Sequence, residues 1–249
     1  MRSGPEPVSA WLGIQLRTNR LFKVGEILLV FISAFAIMGA MNPLAGDNPV
    51  LRQAVVWIAN VLMLMIVWTG LKLRGESWRD FGLTFKAVSW KDGIKVFLLS
   101  LLVFILAAAG FIIGSVIMAN VTGIPESANL SGYDYLKGNI WMLLLTLGGV
   151  YIVSSFGEEV IYRAFLINRF SQLALNTKKG RTVAVILSSI VFGLVHYEWG
   201  PMGIVQTGFM GLALGICYLI LKKRLWILIL AHAYMDTLLM IQLYLASNQ

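Results

Sequence analysis

The stretch that decides the fold is residues 140–175, IWMLLLTLGGVYIVSSFGEEVIYRAFLINRFSQLAL. It carries no charge from Ile140 to Phe156, close to the ~20 apolar residues that a bilayer core demands. It then takes Glu158 and Glu159 into a further apolar run whose pattern suits a helix as far as about Leu175. A helix that continues through the acids places both carboxylates at membrane depth. With an inner boundary near Arg163 to Arg169, and those arginines reaching outward to head groups, Glu158 lies ~10–15 Å inside by helical rise.

Similar apolar stretches occupy residues 24–45, 54–71, 94–119, 183–199 and 225–246, and a seventh, 203–221, is as long but richer in glycine. Of 249 residues 58% are apolar and 13% charged, a balance that a soluble chain cannot hide inside one core. The expected fold class is therefore all-α: a polytopic transmembrane helical bundle of about seven to eight spans. No Pro/Ser-rich linker or fixed-period repeat divides the chain, so residues 1–249 read as one membrane domain. The lone Cys217 excludes a disulfide framework within one chain.

The net charge of +8 is compatible with nucleic acid until its placement is followed. Arg2, Arg17, Arg20 and Lys23 precede the first span, and Lys72, Arg74, Arg79, Lys86, Lys91 and Lys95 separate the second from the third. Arg163, Arg169, Lys178, Lys179 and Arg181 follow the acids; Lys222, Lys223 and Arg224 precede the last span. Only Arg52 and Lys137 fall in the alternate loops. That asymmetry predicts a cytoplasmic N-terminus and makes the basicity topological, with the lipid bilayer as partner and no nucleic acid. A basic lead of this length before a full apolar run reads as preceding a retained span rather than as a signal peptide. Residues 42–52 read as a short external turn and 121–139 as the longest external loop. Residues 74–92, which interleave Trp78, Phe81, Leu83, Phe85 and Trp90 with charges, suit the inner membrane surface.

Ionisable groups inside a membrane cost about 2.5–3.5 kcal/mol each on insertion scales, so each requires a reason. Glu159 and Arg163 stand in the favourable i,i+4 order for a helical ion pair. Glu158 is then the spare acid, about 100° away around the helix, sharing its face with Tyr162. A desolvated carboxylate beside an imidazole is equipped to deprotonate a water for attack on a peptide carbonyl; the plainer reading is an interfacial or structurally paired acid. The chain's two histidines, His196 and His232, both lie in apolar sequence and are expected inside helices. Each serves as base, metal ligand or oxyanion donor, or more plainly as an interhelical hydrogen-bonding residue. Asp236, one turn beyond His232, shares its face and is placed to orient the imidazole, share a proton or bind a cation.

These residues resemble a known family, the CPBP intramembrane proteases, which include CAAX prenyl endopeptidases, bacteriocin-processing enzymes and abortive-infection-type proteins. The resemblance rests on EExxxR at Glu158 to Arg163, FxxxH at Phe192 to His196 and HxxxN/D at His232 to Asp236, over residues 140–240, with a weaker likeness at Trp78-Arg-Asp-Phe-Gly-Leu. It implies that Glu158 activates water with His196, and that His232 and the residue at 236 support the tetrahedral intermediate. Asp stands at 236 where the prenyl-processing branch often has Asn, and an ionised Asp cannot donate to an oxyanion. Asp236 is then protonated, or orients His232, or belongs to a metal site. Family members have been called metalloproteases, and Glu158, His196 and His232 are the ligands expected if Zn²⁺ is bound; there is no HExxH helix.

Other membrane-protease chemistries fit less well. No GxSG serine motif lies in an apolar span, and the Tyr133-Asp134 dipeptide is in a polar loop without a GxGD partner. Gly208, Gly211 and Gly215 read as helix packing. The reading is an intramembrane endopeptidase acting on a membrane-associated protein or peptide near the cytoplasmic half of the bilayer. The alternatives are a non-proteolytic membrane scaffold and a proton-coupled transporter. Short loops suit a bacterial cytoplasmic membrane, and prenylated substrates follow only in a cell that prenylates CAAX proteins.

Overall fold

The computed structural model describes residues 8–84, 89–123 and 129–246. Arg2, Phe85, Lys86 and the middle of the 121–139 loop lie outside the described residues. The helices are α1 (Val8–Thr18), α2 (Arg20–Ala45), α3 (Pro49–Arg74), α4 (Trp90–Thr122), α5 (Ile140–Val150), a π-helical segment (Tyr151–Leu166) that runs directly into α6 (Ile167–Leu173), α7 (Lys178–Leu194), α8 (Gly200–Ile220) and α9 (Leu225–Leu245). No strand occurs among the described residues. Five of the helices, α2, α3, α4, α5 and α7, begin where the sequence supplies a side-chain acceptor for the orphan amides of a first turn. Asn48 caps α3 ahead of Pro49, and Ser89, Asn139 and Thr177 cap α4, α5 and α7.

Six of these helices are long and apolar enough to cross a membrane: α2, α3, α4, the continuous 140–173 helix, α8 with the turn before it, and α9. The expected span at 183–199 is shifted: α7 starts at Lys178, ends at Leu194 and has 17 residues. It runs antiparallel to α8, with Gly193 against Ile204 and Gly208 at one end and Val185 against Gly215 at the other. The small residues of α8 pack helices together as expected: a Cβ at Gly211 would stand 2.8 Å from the Phe192 ring. On the far side of α8, a Cβ at Gly110 of α4 would stand 2.7 Å from the Phe209 carbonyl oxygen. The outward face of α4, with Ile105, Ile112 and Ile113, stays exposed, as a lipid-facing surface does.

The continuous helix is the hub, and every residue from Glu159 to Ile167 is buried. Its arginines do not reach outward. Arg163 turns to Glu159, and Arg169 is buried against Glu26 of α2 (3.2 Å) and Glu76 after α3 (2.8 Å). Arg74, also buried, pairs with Glu26 through two of its nitrogens. Snorkelling loses here because carboxylates are already within reach inside the bundle. The segment after α3 is likewise less interfacial than its composition suggests. Trp90 is exposed, but Phe81 and Leu83 are core residues, held by a short turn in which Ser77 and Asp80 cap each other. Gly82, at φ +85°, lies so close to the Lys223 carbonyl that no side chain fits. The Lys223 ammonium donates to Asn168, and burial, then Arg181, lowers its pKa.

Candidate active site

The acid motif lies in the π-helical segment, whose i→i+5 winding is rare and concentrated at functional sites. The wider turn changes the expected relation of the two acids. Rather than pointing to separate partners, both carboxylates flank one imidazole. His232 Nδ1 lies 2.8 Å from Glu159 Oε1, and its Nε2 lies 3.8 Å from Glu158 Oε2. On the same helix turn, Asp236 Oδ1 lies 3.7 Å from that Nε2. A carboxylate only accepts, so Nδ1 carries the proton toward Glu159.

Glu159 is committed through Oε1, while its Oε2 has no hydrogen-bond partner. Its Oε1 also stands 3.0 Å from Arg163 Nη1, and both side chains are buried. Arg163 stacks over Phe192, its guanidinium carbon 4.1 Å from the ring centroid. Glu158 is the freer acid: its side chain is 16% exposed, and Oε2 has no hydrogen-bond partner.

His196 is not inside a helix. It follows the last residue of α7 and its C-cap Val195, and its backbone amide bonds Gly193 O instead of continuing the helical ladder. The Phe192 carbonyl thereby loses its usual partner, and His196 Nδ1 takes it at 2.7 Å. A carbonyl only accepts, so Nδ1 is protonated and the Nε2 lone pair is free. The FxxxH spacing is thus a helix-end device. The Phe192 ring joins the two histidines, with centroids 4.9 Å from His196, 6.3 Å from His232 and 5.0 Å from Tyr162. Tyr162 itself is buried between Phe192 and Phe31.

Three further residues belong to this site that the motifs did not single out. Ser155 is buried and donates to Asp236 Oδ2 at 2.6 Å; its only sequence signal is a hydroxyl one turn before Glu159. Trp199 packs edge-on against His196, with centroids 4.9 Å apart. Tyr133, in the turn before α5, has its phenol pushed above the usual range, first by burial, then by Tyr135 and the charges of Asp236 and Glu158. The acids and His232/Asp236 therefore come together directly, whereas His196 joins them through Phe192.

The expected metal ligands do not converge. Among the described residues no group of three or more His, Cys, Asp or Glu side chains is arranged to hold a metal ion. Each histidine gives Nδ1 to an oxygen, His196 to a carbonyl and His232 to Glu159, and keeps Nε2 for another partner.

Acids that converge on a histidine inside a bundle of membrane-length helices mark a candidate functional site. Residues 135–238, which hold all three motifs, match the family described as Type II CAAX prenyl endopeptidase Rce1-like. Over that segment the chain is similar to this family, which is one of proteases. No curated protein and no solved structure matches the chain.

Proposed function

We propose that the protein is an intramembrane endopeptidase that hydrolyses a peptide bond of a membrane-associated substrate, with Glu158 as the base. The observation that carries this is the His232 ring held between a committed carboxylate, Glu159, and an uncommitted one, Glu158. The 3.7–3.8 Å gaps from His232 Nε2 to Asp236 and Glu158 are too long for direct hydrogen bonds, but a water or a substrate oxygen spans them.

Glu158 takes a proton from water, and the hydroxide oxygen bonds to the peptide carbonyl carbon. The carbonyl oxygen becomes an oxyanion and accepts from Nε2–H of the doubly protonated His232, whose other N–H stays on Glu159. Glu158 then returns the proton to the departing amine as the C–N bond breaks. His196 offers its Nε2 lone pair to the second hydrogen of the attacking water. Asp236, positioned by Ser155, stabilises the imidazolium rather than donating to the oxyanion. Arg163 holds Glu159 ionised and in place. CAAX-type substrates follow from the family match, and prenylated ones where the cell makes them. The basic ends of the helices and the N-terminus face the cytoplasm in this reading.

The test is terminus-enriched proteomics on membranes carrying the wild-type chain, no chain, or Glu158→Gln at matched expression. New peptide termini that appear only with the wild type identify the substrate. If Glu158→Gln generates the same termini, Glu158 is not the base.

A further inference from the structure

A cavity of about 460 Å³ opens at the basic end of the bundle, lined by Arg17, Lys23, Arg74, Glu76, Gln172, Leu175 and Asn176. Its floor is built rather than incidental. Arg74 is fully buried, its Nη1 donates to Gln172 Oε1 at 3.3 Å, and its carbonyl accepts from Arg17 Nη1 at 3.0 Å.

The charges do not balance. Arg17, Lys23, Arg74 and the adjoining Arg169 face only two carboxylates, Glu26 and Glu76. Glu26 is shared between both buried arginines, and Glu76, the one acid on the cavity wall, gives Oε2 to Arg169 and lies 4.0 Å from Arg74. Lys23 makes none of the ion pairs among the described residues. Behind this wall Arg169 Nη1 lacks a hydrogen-bond partner, and Nε is engaged only in the 3.2 Å ion pair with Glu26. An anion entering the cavity meets a net positive site with donors on three sides.

Leu175 on the cavity wall is 71% exposed, and the helices that supply Arg17 and Lys23 also carry exposed Trp11 and Leu21. A cationic cleft with an exposed leucine on its wall, at the end of membrane-crossing helices, matches an amphiphile better than a soluble ion.

We infer that this cavity binds the phosphate headgroup of an anionic phospholipid, with Arg17 and Lys23 as its contacts, Arg74 as its buried floor, and the acyl chains along Leu21 and Leu175.

The test is native mass spectrometry of the full chain in neutral detergent with phosphatidylglycerol or phosphatidylcholine, for wild type and for Arg17→Gln/Lys23→Gln. Neither residue belongs to the candidate active site, and both lie outside the core, so the double variant keeps the fold. The wild type retains phosphatidylglycerol preferentially, and the double variant loses about 30-fold in that affinity. Equal retention of the two lipids, or undiminished preference in the variant, overturns the inference. A third arm adds inorganic phosphate: full displacement of the lipid at about 1 mM assigns the cavity to a soluble phosphate and overturns the lipid assignment, whereas retention supports it.

Discussion

Exchanging Glu158 or Glu159 for Gln removes one charge from adjacent residues, yet the two substitutions carry opposite costs. Glu159 Oε1 is held by Arg163 at 3.0 Å and His232 at 2.8 Å with no solvent near, so Glu159→Gln leaves a buried guanidinium without its counter-charge. Breaking one partner out of a buried pair costs about 3–5 kcal/mol, or roughly two to three and a half powers of ten in the folded-to-unfolded ratio. Glu158 has no partner within hydrogen-bond distance at Oε2, so Glu158→Gln changes stability by less than about 1 kcal/mol. Its effect falls on turnover, where losing a general base costs about 10²- to 10⁴-fold. The assay is reversible unfolding in mixed micelles with increasing sodium dodecyl sulfate, read by the fluorescence of the eight tryptophans, beside cleavage of the identified substrate. Equal destabilisation by the two variants, or a Glu159→Gln protein as stable as wild type, refutes the assignment of committed and free acids.

Ser155→Ala removes the hydroxyl that positions Asp236; turnover falls about 10- to 100-fold with KM nearly unchanged, and the unfolding midpoint stays close to wild type. Phe192→Ala destabilises by about 3–5 kcal/mol and abolishes activity, because one ring supports Arg163, Tyr162 and both histidines. Gly110→Ala places a methyl against the Phe209 carbonyl and lowers stability by about 1–3 kcal/mol, whereas Gly39→Ala, with nothing within 4 Å, is neutral or mildly stabilising in the same unfolding assay. In a Cys217→Ala background, an impermeant maleimide added outside sealed right-side-out vesicles labels Arg52→Cys and leaves Arg224→Cys unlabelled until the vesicles are opened; the reverse pattern inverts the topology.

Much of the fold was legible because its signals are local. Apolar stretches gave the helices, i,i+4 order gave the Glu159–Arg163 pair, and one-turn spacing put Asp236 beside His232. The two acids were harder. Read at the ordinary helical period they diverge, and no residue in Tyr151–Leu166 announces that the winding loosens there to bring both onto one ring. His196 was misplaced for a related reason: apolar composition continues past Leu194, but the backbone turns at Gly193 and Val195. The buried cluster of Glu26, Arg74, Glu76 and Arg169 is not legible in the sequence, where Arg74 reads as loop charge and Arg169 as a head-group contact, since its contacts join residues 48 and 93 positions apart. Only tertiary packing decides whether such an arginine faces a head group or a carboxylate.

That cluster also has a history within each molecule's synthesis. Glu26 and Arg74 leave the ribosome early and can pair as soon as α2 and α3 form a hairpin, whereas Arg169 emerges 93 residues after Glu76. A hairpin that pairs first would hold carboxylates ready as counter-charges for the arginine of the acid-bearing helix. A fragment limited to residues 135–238 would carry Arg169 without those carboxylates, and expressing the α2–α3 hairpin as a separate polypeptide beside it should raise the amount of fragment that survives in the membrane.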